Sequence, residues 1–379
     1  MKKVIGLIAM LALFINCGGS DNEVILPEEK DTVIAVNDSF QADENTATVL
    51  PSFLENDTYT SGSVKVTFET SSARNGTIVE SNNMFTYTPA QGFVGTDTFK
   101  YTICSTITPS SCSTATVVIT VKALATGNTG NFNIPSEISE YYKDIDFTLT
   151  GSSLKEELAT TIISTHTTTL SYTPGVWDVL KQSDLDLTDN SKVVLIYGYD
   201  DNDGNYVTDR TRDKNANGGT AGTQWNREHV YAKSLGTPDL GTSGPGADAH
   251  HLRPCDITFN SQRGNKLFAT GSGKAGDVSG NWYPGDEWKG DVARMMMYMY
   301  VRYGNQCLPK NVAVGSVATS DSNMVTLLLQ WNAEDPVSDL EMQRNNVVAN
   351  AQGNRNPFID NPYLATVIWS GSEAENTWK

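Results

Sequence analysis

The sequence predicts a multidomain chain, an all-β sandwich followed by an α+β, mainly helical domain, and three observations carry that reading. Short runs of period-two alternation rich in Val, Thr, Tyr and Phe fill residues 35–122, the signature of strands with one buried face. A small polar segment, 123–134, then separates them from a stretch, 135–379, whose apolar spacing turns mainly helical. Within that stretch, residues 224–268 hold three of the chain's 4 histidines, in an order expected to fold as strand, loop, strand and helix. With 379 residues, 39% of them hydrophobic, the chain is long enough for two cores.

From the start, Met-Lys-Lys precedes the apolar run VIGLIAMLALFIN, too short to cross a bilayer and stop there, so residues 1–17 read as an export signal. The run ends at Cys17, followed by GGSDNE, which resembles a bacterial lipoprotein processing site. That resemblance implies lipidation of Cys17 and a membrane held through the lipid anchor, at the outer membrane or cell surface; without it the protein is secreted. Residues 18–34 are polar and acidic and form a tether. Setting Cys17 aside, Cys104 and Cys112 flank the TITPSS turn between two strand-like runs and suit a hairpin disulfide. Cys255 and Cys307 either form a second bridge, tying the histidine-rich stretch to a later helix, or stay as buried free thiols.

The runs VKVTFET, TIVE, MFTYTP, DTFKYTIC and TATVVITV, broken by Asn-Asp, Asn-Gly and Pro-Ala-Gln-Gly turns, predict an antiparallel sandwich with no catalytic residue type in a suggestive pattern. VNDSF, LENDT and FTYTPAQGFVGTDTFKYT resemble the bacterial immunoglobulin-like or cadherin-like modules of secreted proteins, which implies a spacer or a module that binds a surface partner. Asp38, Asp43, Glu44 and Asp57 are read as solvated loop acids, with calcium ligands as the alternative.

Beyond residue 134, Glu137 to Asp144, Leu154 to Ser164 and Trp177 to Gln182 have helical spacing, and KVVLIYGY over Lys192 to Tyr199 is expected as a buried strand. His166 has no chemical neighbours in sequence. The acidic start at Asp200, Asp201 and Asp203 lacks the glutamate that closes an EF-hand, so a surface loop is expected, from which Arg210 and Arg212 reach toward a substrate. Downstream, the Met and Tyr stripe of GDVARMMMYMYVRYG is core, and Ser338 with Glu341 forms a capping box starting a helix that Gly353 ends.

The chemistry is concentrated in QWNREHVYAKSLG and DAHHLRPCDITFNSQRGNKLF. Neutral imidazole, with an ordinary pKa of about 6.5, can take a proton from water at physiological pH, which makes His229 the candidate general base. Glu228 and Asn260 offer oxygen ligands for a hard cation, Mg²⁺ with Ca²⁺ or Mn²⁺ as substitutes. Arg263 can stabilise a reacting phosphate, and Arg253, His251 and Asn265 can touch an anionic substrate such as a nucleic acid. Asp248 and His250 are expected to orient the others, and zinc held by all three histidines is the alternative metal site. Adjacent strand residues point to opposite faces, so Glu228 and His229 serve one site only at a strand edge or an irregularity. A net charge of −17 excludes binding polynucleotides by bulk charge, though not gripping a few phosphates locally.

At these residues the chain resembles the bacterial endonuclease I family, secreted or periplasmic nucleases of ββα-metal (HNH-like) fold. The likeness continues through YPGDEWKGDVARMMMYMYVRYG, LLLQWNAEDPVSDLEMQRN and AQGNRNPFIDNP. The resemblance implies Glu228 and Asn260 as metal ligands, His229 as general base, Arg344 and Arg355 as contacts to the nucleic-acid backbone, and cleavage to 5′-phosphate ends. The substrate it implies is DNA, with RNA as a second, read with little sequence preference by a monomer. Ala232 and Gly264 depart from the family's usual proline and serine. Two other readings stand beside it: a non-catalytic surface-binding lipoprotein, and a zinc-dependent hydrolase of another ester.

Overall fold

The computed structural model describes residues 32–60, 63–81, 84–122, 132–219 and 221–379. The signal 1–17 with Cys17, and most of the tether and linker, lie outside the described residues. Residues 38–122 build two facing sheets. One has four strands in the order Asp38–Asp43, Cys112–Lys122, Gly95–Ser105, Val64–Phe68, and the other three, Thr48–Leu50, Met84–Thr88, Thr77–Ser81. Alternation does what the sequence suggested: Phe99, Tyr101 and Ile103 from one strand and Val117, Ile119 and Val121 from its neighbour point inward, onto Phe53 and Tyr87. One detail departs from an all-antiparallel sandwich. Asp38–Asp43 runs parallel to Cys112–Lys122, because the first strand of the sheet is laid along the last rather than joined to it by a hairpin. Cys104 and Cys112 sit directly across from each other and are bridged.

The C-terminal region is mainly helical around a separate, larger core. Its central helix, Lys289–Tyr303, is buried continuously from Gly290 to Val301, so the Met and Tyr stripe is core on every side. The expected capping box is present: Ser338 and Glu341 bond each other's backbone N–H, and helix Asp339–Gln352 ends at Gly353 with φ 97°. One expectation fails here, and one open choice is decided. KVVLIYGY is strand only over Lys192–Val194, because Tyr197 adopts φ 71° and turns the chain, while the segment stays buried. Cys255 and Cys307 are free, buried thiols rather than a bridge, each packed as a small apolar side chain in the core.

Charges are buried here as well. Arg253 lies between Asp184 (2.6 Å) and Asp291 (2.8 Å), Arg344 also reaches Asp184, and Arg294 makes two 2.7 Å bonds to Glu341. Three arginines thus meet three carboxylates in the interior, tying the helices at 289–303 and 339–352 to the strand that carries Arg253. Ser316 donates to Ala47 O (2.5 Å) and Ser372 to Asp43 (3.3 Å), polar contacts between this region and the sandwich. No helix of the described residues is long and apolar enough to cross a membrane.

Candidate active site

Strand Trp225–His229 pairs antiparallel with Leu252–Asp256, Glu228 opposite Arg253 and His229 opposite Leu252, and helix Ile257–Arg263 follows at once. The order is strand, loop, strand and helix, as the sequence suggested. Asp256 starts the helix by accepting from Thr258 N (2.8 Å) and Phe259 N (3.0 Å), and is itself fixed by Arg212 at 2.6 Å. Gly264, at φ 56°, ends it in a conformation that a serine would adopt only under strain.

The pleat divides the first strand into two faces. On one, Asn226 and Glu228 look toward the helix. Asn260 donates from Nδ2 to Asn226 Oδ1 (2.7 Å) and Arg227 O (3.4 Å), so its amide oxygen is the atom left to bind elsewhere. Glu228, 2% exposed, accepts from Tyr197 OH at 3.1 Å and lies 3.3 Å from Arg263. Burial pushes its pKa up to about 7, against the opposing pull of Arg263 and the Tyr197 bond. Both contacts fall on Oε1, and the carboxylate together with an amide oxygen on the same face is a donor set that suits a hard divalent cation.

On the opposite face lie Trp225, Arg227 and His229. Trp177 packs on Trp225 (5.1 Å), the Arg227 guanidinium lies over the rings of Tyr172 (3.5 Å) and Trp177 (4.1 Å), and His229 stacks on Tyr172 (5.6 Å, 24°). His229 Nε2 is 3.0 Å from Gly246 O. A carbonyl can only accept, so Nε2 carries the proton and Nδ1 the lone pair. Burial and the neighbouring His251 push the ring's pKa down to about 3, which keeps it neutral at physiological pH. The Gly246 carbonyl can stand there because residue 246 is glycine: a Cβ would lie 2.2 Å from Gly241 O. His251 steadies the same turn, its Nε2 bonded to Pro245 O (2.8 Å) and its ring 5.5 Å from that of His229.

Several expected contacts to nucleic acid are elsewhere. Arg253 and Arg344 are fully buried in the ion network, where a phosphate has no access to them. Arg355 forks onto Asp360 through Nε (2.7 Å) and Nη2 (2.6 Å). Arg212 is buried on Asp256, and Arg210 reaches Glu287. His251 is buried under the turn, and Asn265 is exposed, near Ser234. Arg263 is beneath the hairpin rather than beside a phosphate, donating to His229 O (3.2 Å) and Val230 O (2.8 Å) as well as pairing with Glu228. His250 bonds Asn354 O (2.9 Å). Asp248 accepts from His250 N, Tyr298, Tyr303 and Gln352, which places both in the scaffold under the loop. The three imidazoles face three different carbonyls, and among the described residues no three His, Cys, Asp or Glu side chains gather as a metal cluster, so the three-histidine zinc arrangement has no counterpart. Sequence reasoning gave no role to Arg227, although its place two residues before His229 puts it on the same strand face.

A strand, a returning strand and a helix together present a carbonyl-pinned histidine and an acid–amide pair. Residues 150–363 match the model of the family described as Endonuclease I, and residues 30–120 match that of a bacterial Ig domain. The chain is 46% identical over 232 residues to the extracellular ribonuclease of Bacillus subtilis (strain 168), covering 58% of this chain and 75% of the relative. It is 43% identical over 248 residues to the extracellular ribonuclease of Bacillus amyloliquefaciens, covering 62% and 80%. The chain belongs to the endonuclease I family, carried behind an N-terminal bacterial Ig-like domain, and it is a nuclease.

Proposed function

We propose that this nuclease hydrolyses phosphodiester bonds in RNA and DNA with little sequence preference, leaving 5′-phosphate ends. His229 acts as general base, and Glu228 with Asn260 holds a divalent ion, Mg²⁺ with Ca²⁺ or Mn²⁺ as substitutes. The names of the relatives favour RNA among the substrates, and the scarcity of side chains poised to read base edges favours tolerance of sequence. The observation that carries the reading is the pinned tautomer of His229: with Nε2 engaged by Gly246 O, Nδ1 is the atom available to take a proton from water. In the substrate-free site burial keeps its basicity low; a phosphate anion alongside favours the imidazolium, so basicity rises as substrate arrives.

Arg263 holds the His229 and Val230 carbonyls together with Glu228 and acts by fixing the strand end. A divalent ion at Glu228 and Asn260 would supply positive charge to the phosphate and to the departing oxygen. Export through residues 1–17, anchoring through a lipid on Cys17, and a spacer role for the sandwich complete the proposal; the relatives' description as extracellular supports the export. The test is digestion of plasmid DNA and of RNA with Mg²⁺, with Ca²⁺ and with EDTA, for the parent, Glu228→Ala and His229→Ala. Cutting by the parent alone, abolished by EDTA, is expected; undiminished cutting by His229→Ala would overturn the assignment.

A further inference from the structure

In the C-terminal region the arginines are neutralised by carboxylates at 4.0 Å or less, and among the described residues only Arg227 and Arg302 stand outside that pattern. Arg302 lies over the Tyr303 ring with its Nε buried. Arg227 is different. Half-exposed, it shares a strand face with His229, and its guanidinium is held over Tyr172 and Trp177. Its Nη1 donates to Tyr172 O and to Thr173 Oγ1 (3.0 Å), which fixes the plane of the group and leaves the Nε–Nη2 edge unbonded. That edge is the side of a guanidinium that forks onto two oxygens of a phosphate. In a chain of net charge −17, a cation kept free of acids and pre-oriented by two rings is set for an anion from outside.

We propose that Arg227 is a substrate-binding residue whose Nε–Nη2 edge grips the phosphate next to the one on which His229 acts, a step that rests on the nuclease reading above. Two residues along a strand advance the chain by about 6–7 Å, which sets Arg227 one position away from the reacting bond rather than on it. Tyr172 and Trp177 then serve as the bracket that keeps the fork in place without neutralising it.

The test uses the full chain with His229→Ala, which binds without cutting, and a fluorescein-labelled single-stranded oligonucleotide followed by anisotropy between about 50 and 200 mM NaCl. Adding Arg227→Gln is expected to weaken binding about tenfold and to make the salt dependence shallower by about 0.7 in log–log slope, one phosphate's worth. Arg227→Lys, which keeps the charge but not the fork, should hold the slope and lose only part of the affinity. Arg227→Gln with unaltered affinity and slope, or Lys and Gln variants that alter the slope alike, would overturn the proposal. A melting curve identifies any variant that unfolds, and Arg227→Lys, which leaves a cation over the rings, then carries the test. Failure of the nuclease reading shows separately, as a parent that digests nothing with Mg²⁺, because the binding measurement does not depend on cleavage.

Discussion

The sandwich and the nuclease region bury polar groups in different ways. In the sandwich the one fully buried carboxylate among the described residues, Asp97, is met by uncharged donors: Tyr87 OH (2.6 Å), Ser72 Oγ, Arg74 N (2.8 Å) and Thr98 N (2.8 Å). In the nuclease region Asp184, Asp291 and Glu341 are met by Arg253, Arg294 and Arg344, and the partners are far apart in sequence. The first arrangement satisfies a turn. The second fastens helices to the strand that stands opposite Glu228, and so it sets where the site lies. Most of the buried charge in the nuclease region is paired within the scaffold, and Glu228, which Arg263 reaches at 3.3 Å, is the buried carboxylate that the proposed chemistry uses.

The largest expected effect separates those two uses. His229→Ala removes the proposed base and should lower kcat/KM about 10²–10⁴-fold. Since the ring has one hydrogen bond, to Gly246 O, and no part in the ion network, the melting temperature should move little. Activity assays and calorimetry on the same preparation check this. A collapse of stability together with activity would place His229 in the scaffold.

Arg253→Met should do the reverse. Removing one member of the network leaves Asp184 sharing only Arg344 and Asp291 without its 2.8 Å partner, and a broken buried pair costs about 3–5 kcal/mol. The nuclease transition in calorimetry should fall while that of the sandwich stays in place. A loss below about 1 kcal/mol would mean that the network is dispensable to the fold.

Acid pH offers a third probe. His250 is pushed down to about 4, first by burial and against the opposing pull of Asp248. The unfolded chain takes up a proton near pH 6.5 and the folded chain near 4, so stability held above pH 6.5 is lost as pH falls through that window. The loss approaches about 3 kcal/mol for this ring alone. Other buried groups titrate too, Glu228 in the opposite sense because its pKa is raised. They drop out when denaturation of the parent is compared with that of His250→Gln at pH 7.5 and 4.5. Gln can still donate to Asn354 O, and it should flatten the difference; identical slopes would refute the assignment.

How far the sequence anticipated this molecule follows from the range of each interaction. The sandwich strands, the Cys104–Cys112 bridge, the capping box at Ser338 and the strand–loop–strand–helix order are local patterns, and all are present. The arginines were misread for the opposite reason. Arg253 and Arg344 have the right chemistry for phosphate, and nothing near them in sequence announces Asp184, which meets them from 69 and 160 residues away. By count, Cys255 and Cys307 could pair or stay free, and which holds depends on packing. Strand periodicity places Arg227 on the face of His229, but its lack of an acid partner is a property of the fold and leaves no signal in the sequence.

The smallest effect tests the comparison from the sandwich side. Tyr87→Phe removes the 2.6 Å bond to Asp97 and leaves the carboxylate with Ser72 Oγ and the two backbone N–H donors. The ring stays, so the apolar contacts of a fully buried side chain persist, and the cost should be that of one hydrogen bond to a charged group, about 1–2 kcal/mol. It should appear in the sandwich transition alone. The contrast with Arg253→Met is then physical: a carboxylate with three remaining donors stays satisfied, whereas Asp291 without Arg253 loses its 2.8 Å bond and keeps only Arg294 at 4.0 Å. If Tyr87→Phe proved as costly as Arg253→Met, redundancy of neutral donors would not be what makes the sandwich tolerant, and the distinction between the two interiors would fail.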